Sequence, residues 1–474
     1  MTTQHRWKTW LRFMGRHQAI IFGLMLLGLT ASAAVGQENA SLDSLRLGAR
    51  YLHWAPVKDG GAPAATPSTT AAPAPLPPST PQPAMPQGVS LVEWEAMAEQ
   101  RNPTLAQAAA RIEAARADCV QVGLYPNPRV GYQAAEIGDD GQAGQQGGFI
   151  GQEFVTNGKL QRSRELAQQA IEQAQWAWAV QHQRVINDVR HAFYDVLVAQ
   201  RTVELTDQLL RVGQEGVRAA DGLLKAKEAS RFDGLQARIE ADSAQITNEK
   251  ARNRHAAAWR NLAVVVGAPD MPPAPLLGEL QDGLLQLTWD GELGRVLCES
   301  PAIAEARSGV ARAEAALNRQ IAERVPNIDV QASVQYDNST RDSIAGVQAG
   351  VPLPLFNRNQ GNIRRAQAEL AAARAEVHRT ELELRQRLAA AFEQYQNARC
   401  QVEKYADRIL PNAQTSLDLV TAGYRQGHFD YVTLLTAQRT FFQVNLAYIE
   451  AVRDLRAATV GIQGNLLGDS LQQR

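Results

Sequence analysis

The sequence contains one series of short motifs twice, about 200 residues apart, and this duplication limits the possible folds more than any other feature. Such a chain is expected to build one supersecondary unit and then a second copy of it. We therefore divide the folded part into a first repeat, residues 90–280, and a second repeat, residues 281–468, followed by a tail at 469–474. The paired motifs are Asn102-Pro103 with Ser300-Pro301, Pro126-Asn127 with Pro326-Asn327, Ala192-Phe193 with Ala391-Phe392, Phe232-Asp233 with Phe429-Asp430, and Gly267 with Gly468.

Each repeat contains one long stretch without glycine or proline, residues 159–210 in the first and 362–410 in the second. Both are rich in residues that favour helix, and at 1.5 Å per residue each predicts a rod about 75 Å long. Apolar residues recur there in alternating steps of four and three, the seam of a coiled coil. The seams are Val185, Val189, Ala192, Val196, Ala199, Val203, Thr206 and Leu210, and Leu384, Leu388, Ala391, Tyr395, Ala398, Val402, Tyr405 and Ile409.

Shorter helices are predicted on either side of each rod. They cover residues 104–122 and 235–266 in the first repeat and residues 302–324 and 431–460 in the second. Each repeat is therefore expected to run as helix, strand pair, long helix and helix. The predicted fold class is α+β, mainly α, in an internally duplicated protomer.

Strict period-two alternation precedes the rod of the second repeat. Apolar and polar residues alternate from 328 to 336, and a second alternating stretch, 344–351, follows a polar turn. This pattern predicts a β-hairpin with one apolar face at about residues 327–355. The first repeat has a looser version at about residues 128–154, with a loop rich in Gly, Asp and Gln between its strands. On alternation alone, these could equally be half-buried strands of a soluble sheet.

The number and length of the strands favour a membrane barrel shared between several chains. Four strands of about ten residues have the length needed to cross a bilayer at a tilt, but a closed transmembrane barrel needs at least about eight strands. An open sheet would leave unpaired backbone groups in lipid. Three copies would supply twelve strands, so we expect a homotrimer in contact with outer-membrane lipid, with the long helices packed as a tube below it.

The first 34 residues indicate a secretory signal peptide. Four basic residues precede an apolar run at 19–29, and Ala31-Ser32-Ala33 follows as a cleavage site. The alternative is an N-terminal membrane anchor, but that run is shorter than the roughly 20 residues that a spanning helix needs. The basic residues are Arg6, Lys8, Arg12 and Arg16.

Residues 35–89 are interpreted as a tether, because the stretch 62–87 consists mainly of Pro, Ala, Ser and Thr and cannot bury a core. The folded part is expected to begin near Ser90.

Composition and motifs exclude several classes of function. The formal net charge is −1 and the pI about 6.7, so nucleic acid is not expected as a partner. No phosphate-binding loop, zinc-protease motif or nucleophile elbow occurs, so we expect no enzyme, no catalytic residues and no cofactor. Three cysteines permit at most one internal disulfide, their spacing indicates no metal site, and buried free thiols are expected. They are Cys119, Cys298 and Cys400.

Residues 409–442 resemble the hallmark segment of the TolC-like outer-membrane efflux protein family, with its turn at Gly423, Tyr424 and Gly427. The resemblance extends from Ser90 to Gly468. Within the family, residues 123–128 and the residues Gly158, Lys159 and Arg162 are most similar to the cobalt, zinc and cadmium resistance branch.

This resemblance implies a trimeric channel in the outer membrane with a twelve-stranded β-barrel and a helical periplasmic α-barrel. It also implies two partners, a periplasmic adaptor and a proton-driven inner-membrane pump, and heavy-metal cations as the substrate. Two alternatives remain open. One is the same duct serving a multidrug pump or a type I protein-secretion system, and the other is a periplasmic coiled-coil scaffold that never enters the membrane.

The resemblance also places five candidate residues at a periplasmic gate: Asp233, Tyr424, Asp430, Thr433 and Thr436. Thr433 and Thr436 stand where family members carry acidic rings, which puts a carboxylate ring there in doubt. Asp233 and Asp430, expected at equivalent turns of the two repeats, could form such rings instead, or could cap the helices that follow. Tyr424 matches a gate tyrosine of the family, although a tyrosine at this spacing also suits seam packing.

Overall fold

The computed structural model describes residues 90–138, 143–225, 230–281 and 286–472. The predicted signal peptide, residues 1–34, and the predicted tether, residues 35–89, lie outside the described residues.

The described residues form nine α-helices, one π-helical turn and four β-strands, so the prediction of a mainly helical α+β fold is confirmed. Helix, strand pair, long helix and helix follow one another in each repeat. In chain order the elements are α1 (Leu91–Arg101), α2 (Pro103–Gln121), β1 (Arg129–Ala135), β2 (Gln145–Phe154), α3 (Lys159–Lys225), α4 (Arg231–Val266), α5 (Trp289–Glu299), α6 (Pro301–Ala322), β3 (Ile328–Asp337), β4 (Ser343–Gly350), α7 (Gln360–Lys404), a π turn (Tyr405–Ile409), α8 (Leu410–Arg425) and α9 (Tyr431–Gln463).

Helices α1 and α5 were not predicted from the sequence, because each is only 11 residues long. Both end at a residue with extended backbone that is also the N-cap of the next helix. Asn102 is that residue in the first repeat, and its side chain accepts a hydrogen bond of 2.9 Å from the Thr104 amide. Ser300 occupies the same place in the second repeat. In both cases proline follows at the first helical position, where its missing N–H costs nothing.

The rod of the first repeat, α3, is 67 residues long, about 100 Å at 1.5 Å per residue. It does not stop at residue 210 as predicted, but continues through Gly213, Gly216 and Gly222. Other helices of the same chain pack closely against two of these glycines, and this packing supports the helix where it lacks side chains. A Cβ at Gly213 would lie 3.1 Å from the Ala241 Cα, and one at Gly216 would lie 3.0 Å from the Tyr431 hydroxyl oxygen.

The rod of the second repeat is built from α7, the π turn and α8, which are 45, 5 and 16 residues long and follow one another without a break. It therefore also passes the predicted end at residue 410. The π turn ends two residues before Pro411, which lacks the backbone N–H that the helical ladder would use there. The wider turn accommodates the proline without ending the rod.

The predicted seams form most of the core. Val185, Val189 and Val196 of α3 are fully buried with Trp259 and Leu262 of α4. In the second repeat, Leu388, Tyr395 and Ala398 of α7 pack with Leu455, Ala458 and Ile462 of α9. Ile409 is the exception, since it is 38% exposed. The π turn rotates it out of the seam.

No helix in the described part of the chain has both the length and the apolar character needed to cross a membrane.

The four strands form one antiparallel sheet in the order β1-β2-β3-β4. Both predicted hairpins are present, and β2 of the first repeat pairs with β3 of the second along its whole length. The predicted strand end at residue 355 is wrong, because β4 ends at Gly350 and prolines at 352 and 354 cannot donate to a ladder.

Candidate functional site

One face of the sheet is apolar and exposed. Residues directly opposite each other in antiparallel strands lie on the same face, and the register therefore groups Val130, Ile150, Ala332 and Val347 across all four strands. Val130 is 79% exposed and Val347 is 81% exposed. The opposite face carries mainly Gln, Ser, Asp, Glu and Gly. Gln146 and Gln152 of β2 also lie on this face, which is otherwise mainly apolar. An exposed surface of mainly apolar residues fits apolar surroundings.

A polar junction joins this sheet to the rods at the boundary between the repeats. Lys159, the first residue of α3, donates a hydrogen bond of 2.7 Å to the Asn327 Oδ1 and lies 3.5 Å from a Glu323 carboxylate oxygen. The Asn327 Nδ2 donates to Glu153 of β2 at 2.6 Å. The Thr156 hydroxyl donates to the Pro326 carbonyl oxygen, also at 2.6 Å. The Lys159 side chain is only 7% exposed, whereas its partner Glu323 is 32% exposed, so the ammonium group is shielded from solvent at a junction that is otherwise half-buried.

At the other end of the rods, a tight turn joins α8 to α9. Gly427 has a φ of +77°, which favours glycine, and the His428 amide donates to the Gly423 carbonyl oxygen at 2.8 Å. The Phe429 ring lies directly over Gly423, where a Cβ would come within 2.3 Å of it. Of the three residues that carried the family resemblance at this turn, Gly423 therefore leaves room for the Phe429 ring and Gly427 provides the positive φ.

Asp430 is the N-cap of α9. Its carboxylate accepts a hydrogen bond of 3.0 Å from the Thr433 amide and another from the Thr433 hydroxyl. These bonds from Thr433 hold the pKa of the Asp430 carboxyl below its usual value. Asp430 therefore caps its helix and stays ionised at neutral pH.

Asp233 belongs to a capping box at the start of α4, where Ser230 is the N-cap and Asp233 the third helical residue. The Asp233 carboxylate accepts hydrogen bonds from the Ser230 amide at 3.0 Å and from its hydroxyl at 2.8 Å. The expected equivalence of Asp233 and Asp430 is therefore wrong. The caps Ser230 and Asp430 correspond, which makes Asp233 the counterpart of Thr433, because the repeated Phe-Asp pair is displaced by three residues.

Thr433 and Thr436 lie one turn apart on α9 and line a groove of about 340 Å³ between α8 and α9. The Thr436 hydroxyl donates to the Val432 carbonyl oxygen at 2.8 Å, while that of Thr433 is held by Asp430. Both hydroxyl protons are thus engaged within α9, and the groove presents methyl groups and hydroxyl oxygens.

Tyr424 lies beside Tyr431, with ring centroids 6.3 Å apart. Burial raises the pKa of Tyr431, and the neighbouring Tyr424, Glu240 and Asp233 raise it further. One turn beyond Thr436, Arg439 forms an ion pair of 2.5 Å with Glu240 of α4. The structure therefore brings Asp233, Tyr424 and Tyr431 together. Tyr431 and the Arg439–Glu240 pair were missed, because nothing in the sequence relates positions about 200 residues apart at this contact.

All three cysteines are free, but the expectation that they are buried is wrong. Cys298 and Cys400 are exposed and Cys119 is half-buried, because all three lie away from the buried faces of their helices.

The chain is duplicated and mainly helical, and its small sheet has an exposed apolar face and is followed in each repeat by a long helical rod. This architecture is that of an outer-membrane channel subunit. The chain belongs to the family described as outer membrane efflux protein, whose pattern matches residues 94–268 and 293–468, one match in each repeat. As members of this family act in the outer membrane, the chain is an outer-membrane efflux protein with a large periplasmic part.

Several of the relatives are named for metal resistance. The cobalt-zinc-cadmium resistance protein CzcC of Cupriavidus metallidurans is 27% identical over 61% of this chain and 67% of its own length. The nickel-cobalt-cadmium resistance protein NccC of Alcaligenes xylosoxydans xylosoxydans is 26% identical over 63% of this chain and 68% of its own length. The similarity thus spans about two thirds of each relative.

Solved structures share the fold. The crystal structure of CusC, described as undergoing conformational changes that accompany folding and transmembrane channel formation, aligns with 84% of this chain and 99% of its own. The TM-score is 0.67 at 18% sequence identity. The family, the relatives and the fold therefore agree with the resemblance found in the sequence.

Proposed function

We propose that this chain is the outer-membrane duct of a tripartite efflux system and conducts heavy-metal cations passively to the exterior. The cations would come from a proton-driven inner-membrane pump through a periplasmic adaptor. The observation that carries the proposal is the open four-stranded sheet with its exposed apolar face, in a chain that belongs to the efflux family.

Three copies would close that sheet. Four strands cannot form a transmembrane barrel, and the outer edges of β1 and β4 are unpaired within the described residues. A homotrimer would pair both edges and give a twelve-stranded barrel in outer-membrane lipid. The rods α3 and α7–α8 would then stand side by side as an α-helical tunnel in the periplasm.

Metal cations are favoured as the substrate by the names of the relatives. CzcC is named for resistance to cobalt, zinc and cadmium, and NccC for resistance to nickel, cobalt and cadmium. The chain needs no catalytic or cofactor site for this role, because the energy would be supplied by the pump.

The end of the tunnel would be formed by the α8–α9 turn and the start of α4. Asp233, Tyr424, Asp430, Thr433 and Thr436 are the gate candidates, and three copies would repeat each of them around one opening. Asp430 is exposed and ionised in addition to capping α9, so a ring of three would favour cations.

Deletion of the gene followed by growth on graded zinc, cobalt, cadmium, copper and drugs tests the substrate. Lower tolerance of metals alone, restored by the intact gene, is the expected result. Sensitivity to drugs with normal metal tolerance would instead establish a multidrug duct, and loss of protein secretion would establish a type I system.

Membrane extraction and conductance distinguish a duct from a scaffold. We expect that the protein needs detergent for extraction, runs as a trimer and conducts ions in a planar bilayer. Release by carbonate as a monomer or dimer without conductance would show a periplasmic coiled-coil scaffold instead.

A further inference from the structure

The two connections between strand and rod differ in length and in composition. The first repeat joins β2 to α3 through residues 155–158, whereas the second joins β4 to α7 through the longer stretch 351–359. Residues 351–358 are all exposed, and Phe356, at 90%, is the most exposed large apolar side chain in the described part of the chain. Since the short connection suffices to join a strand to a rod, the longer one has room for another role. Its other exposed apolar residues are Val351, Leu353 and Leu355.

The polar end of the longer connection is fixed by hydrogen bonds. The Asn359 Nδ2 donates to the backbone carbonyl oxygen of Gln320 on α6 at 2.8 Å and to its side-chain oxygen at 2.9 Å. The Arg358 amide donates to the Gln360 Oε1 at 2.8 Å, and the Gln360 Nε2 donates to the Phe356 carbonyl oxygen at 3.2 Å. The backbone around Phe356 is therefore held in place while its ring is left uncovered.

The apolar end of the connection continues the apolar face of β4. Val347 lies on that face, and the same alternation goes on beyond the end of the strand in Val351, Leu353 and Leu355. The prolines at 352 and 354 keep this stretch extended, because proline fixes its own φ at about −65° and disfavours helix at the preceding residue. The exposed apolar surface of the sheet is thus prolonged toward the rods.

We propose that residues 351–356 form a lipid-contact loop that inserts its apolar side chains into the inner leaflet of the outer membrane. The inference rests on the proposed function, since a sheet that crosses the membrane turns its rod end toward the periplasm and so places this loop at the inner leaflet. The boundary between headgroups and acyl chains accommodates aromatic and aliphatic side chains. One loop in each copy of a trimer would tie the top of the rods to the membrane surface and fix the depth of the channel.

The charges beside the loop suit the phosphate layer of the lipid. Arg358 follows Phe356 by two residues, and Arg364 lies near the start of α7. Both are exposed, and neither forms an ion pair within the described residues. A guanidinium group pairs well with a phosphate group, and basic residues beside an inserted apolar segment strengthen its contact with lipid. Phospholipid therefore matches both the apolar and the cationic part of this surface.

Nitroxide labels test the loop in the full-length protein reconstituted into vesicles of phosphatidylethanolamine and phosphatidylglycerol. The parent carries Cys119→Ser, Cys298→Ser and Cys400→Ser, and the label is attached through Phe356→Cys or, separately, Leu353→Cys. Oxygen concentrates among the acyl chains, whereas a water-soluble nickel chelate stays outside them. We expect collisions with oxygen to exceed those with nickel several-fold. The two positions report on the same loop, so either variant suffices if the other fails to assemble.

Two positions of β4 serve as references. A label at Val347→Cys, on the apolar face, should also favour oxygen, and one at Gln348→Cys, on the polar face, should favour nickel. Nickel preference in the loop would show contact with water, and few collisions with either reagent would show cover by another copy. Both results would overturn the lipid-contact loop, and the proposed function would stand as long as Val347→Cys favoured oxygen. Nickel preference at Val347→Cys would overturn both.

Discussion

The Lys159 ammonium group is buried against Asn327, and the 2.7 Å hydrogen bond between them links the start of the long helix of the first repeat to the strand corner of the second. Asn327→Ala removes the acceptor and also the donor to Glu153. A buried charge left with fewer partners costs about 1–3 kcal/mol, so we expect a clearly lower melting temperature by circular dichroism in detergent. Asn397→Ala, on an exposed position of α7, is the control. Equal melting of both variants would show that the junction contributes no stability.

Gly423→Ala should disrupt the turn between α8 and α9, because the added Cβ would lie 2.3 Å from the Phe429 ring. Overpacking of this kind costs about 1–3 kcal/mol. We expect faster proteolysis at residues 426–430, with Phe429→Ala in the same chain restoring resistance. Gly222→Ala, where a Cβ meets nothing within 4 Å, should leave cleavage unchanged. If the Gly423→Ala chain were cleaved just as fast when it also carried Phe429→Ala, contact with the Phe429 ring would not be the cause of the faster proteolysis.

The stability that the Asp430 cap contributes to the folded state should depend on pH. Its hydrogen bonds with Thr433 hold the pKa of this carboxyl below the usual value. The folded state is therefore stabilised above the usual pKa of an aspartate, and this stabilisation is lost as the pH falls through the lower, folded value. The difference in melting temperature between the wild type and Asp430→Ala should accordingly shrink in acid. Asp430→Asn, which can still accept the bond, should melt close to the wild type near neutral pH. A pH-independent difference for Asp430→Ala would contradict this account.

Charge at the proposed gate is separable from capping. The double variant Asp233→Asn with Asp430→Asn keeps side-chain acceptors at both helix starts and removes six carboxylates from a trimer. We expect lower cation preference in single-channel recordings at unchanged trimer content. Unaltered selectivity would leave Asp430 as a helix cap and Asp233 as a member of its capping box, with no role in selectivity.

Lysine on the two faces of β4 should act in opposite ways. Val347 lies on the apolar face and is 81% exposed, whereas Gln348 lies on the polar face. A lysine facing lipid at mid-depth costs about 2–4 kcal/mol, so Val347→Lys should reduce the amount of trimer in the outer membrane. Gln348→Lys should assemble normally. Equal assembly of the two variants would argue against lipid contact at the apolar face.

Regular patterns in the sequence predicted the regular parts of the fold. Alternation between 328 and 336 predicted β3, and the four-three steps from Val185 to Leu210 predicted the buried seam of α3. Each of these patterns depends only on local periodicity, which can be recognised in the sequence of a single chain.

Features that depend on distant contacts could not be predicted. Gly213 and Gly216 suggested a break in α3, but they are where other helices approach most closely. The repeated Phe-Asp pair suggested that Asp233 and Asp430 correspond, whereas the caps at Ser230 and Asp430 fix a different alignment. At the candidate gate, the cap formed by Asp430 was foreseen as an alternative, but the Arg439–Glu240 pair joins residues from both repeats and leaves no local pattern.

The π turn before Pro411 inserts an additional residue into one rod and has no equivalent in the other. Beyond it, toward Arg425, the two rods no longer present matching sides to their neighbours. A ring of such chains would look nearly six-fold symmetric close to the sheet and only three-fold symmetric at the distant tip. In the proposed trimer, two kinds of helix pair would then alternate around that tip.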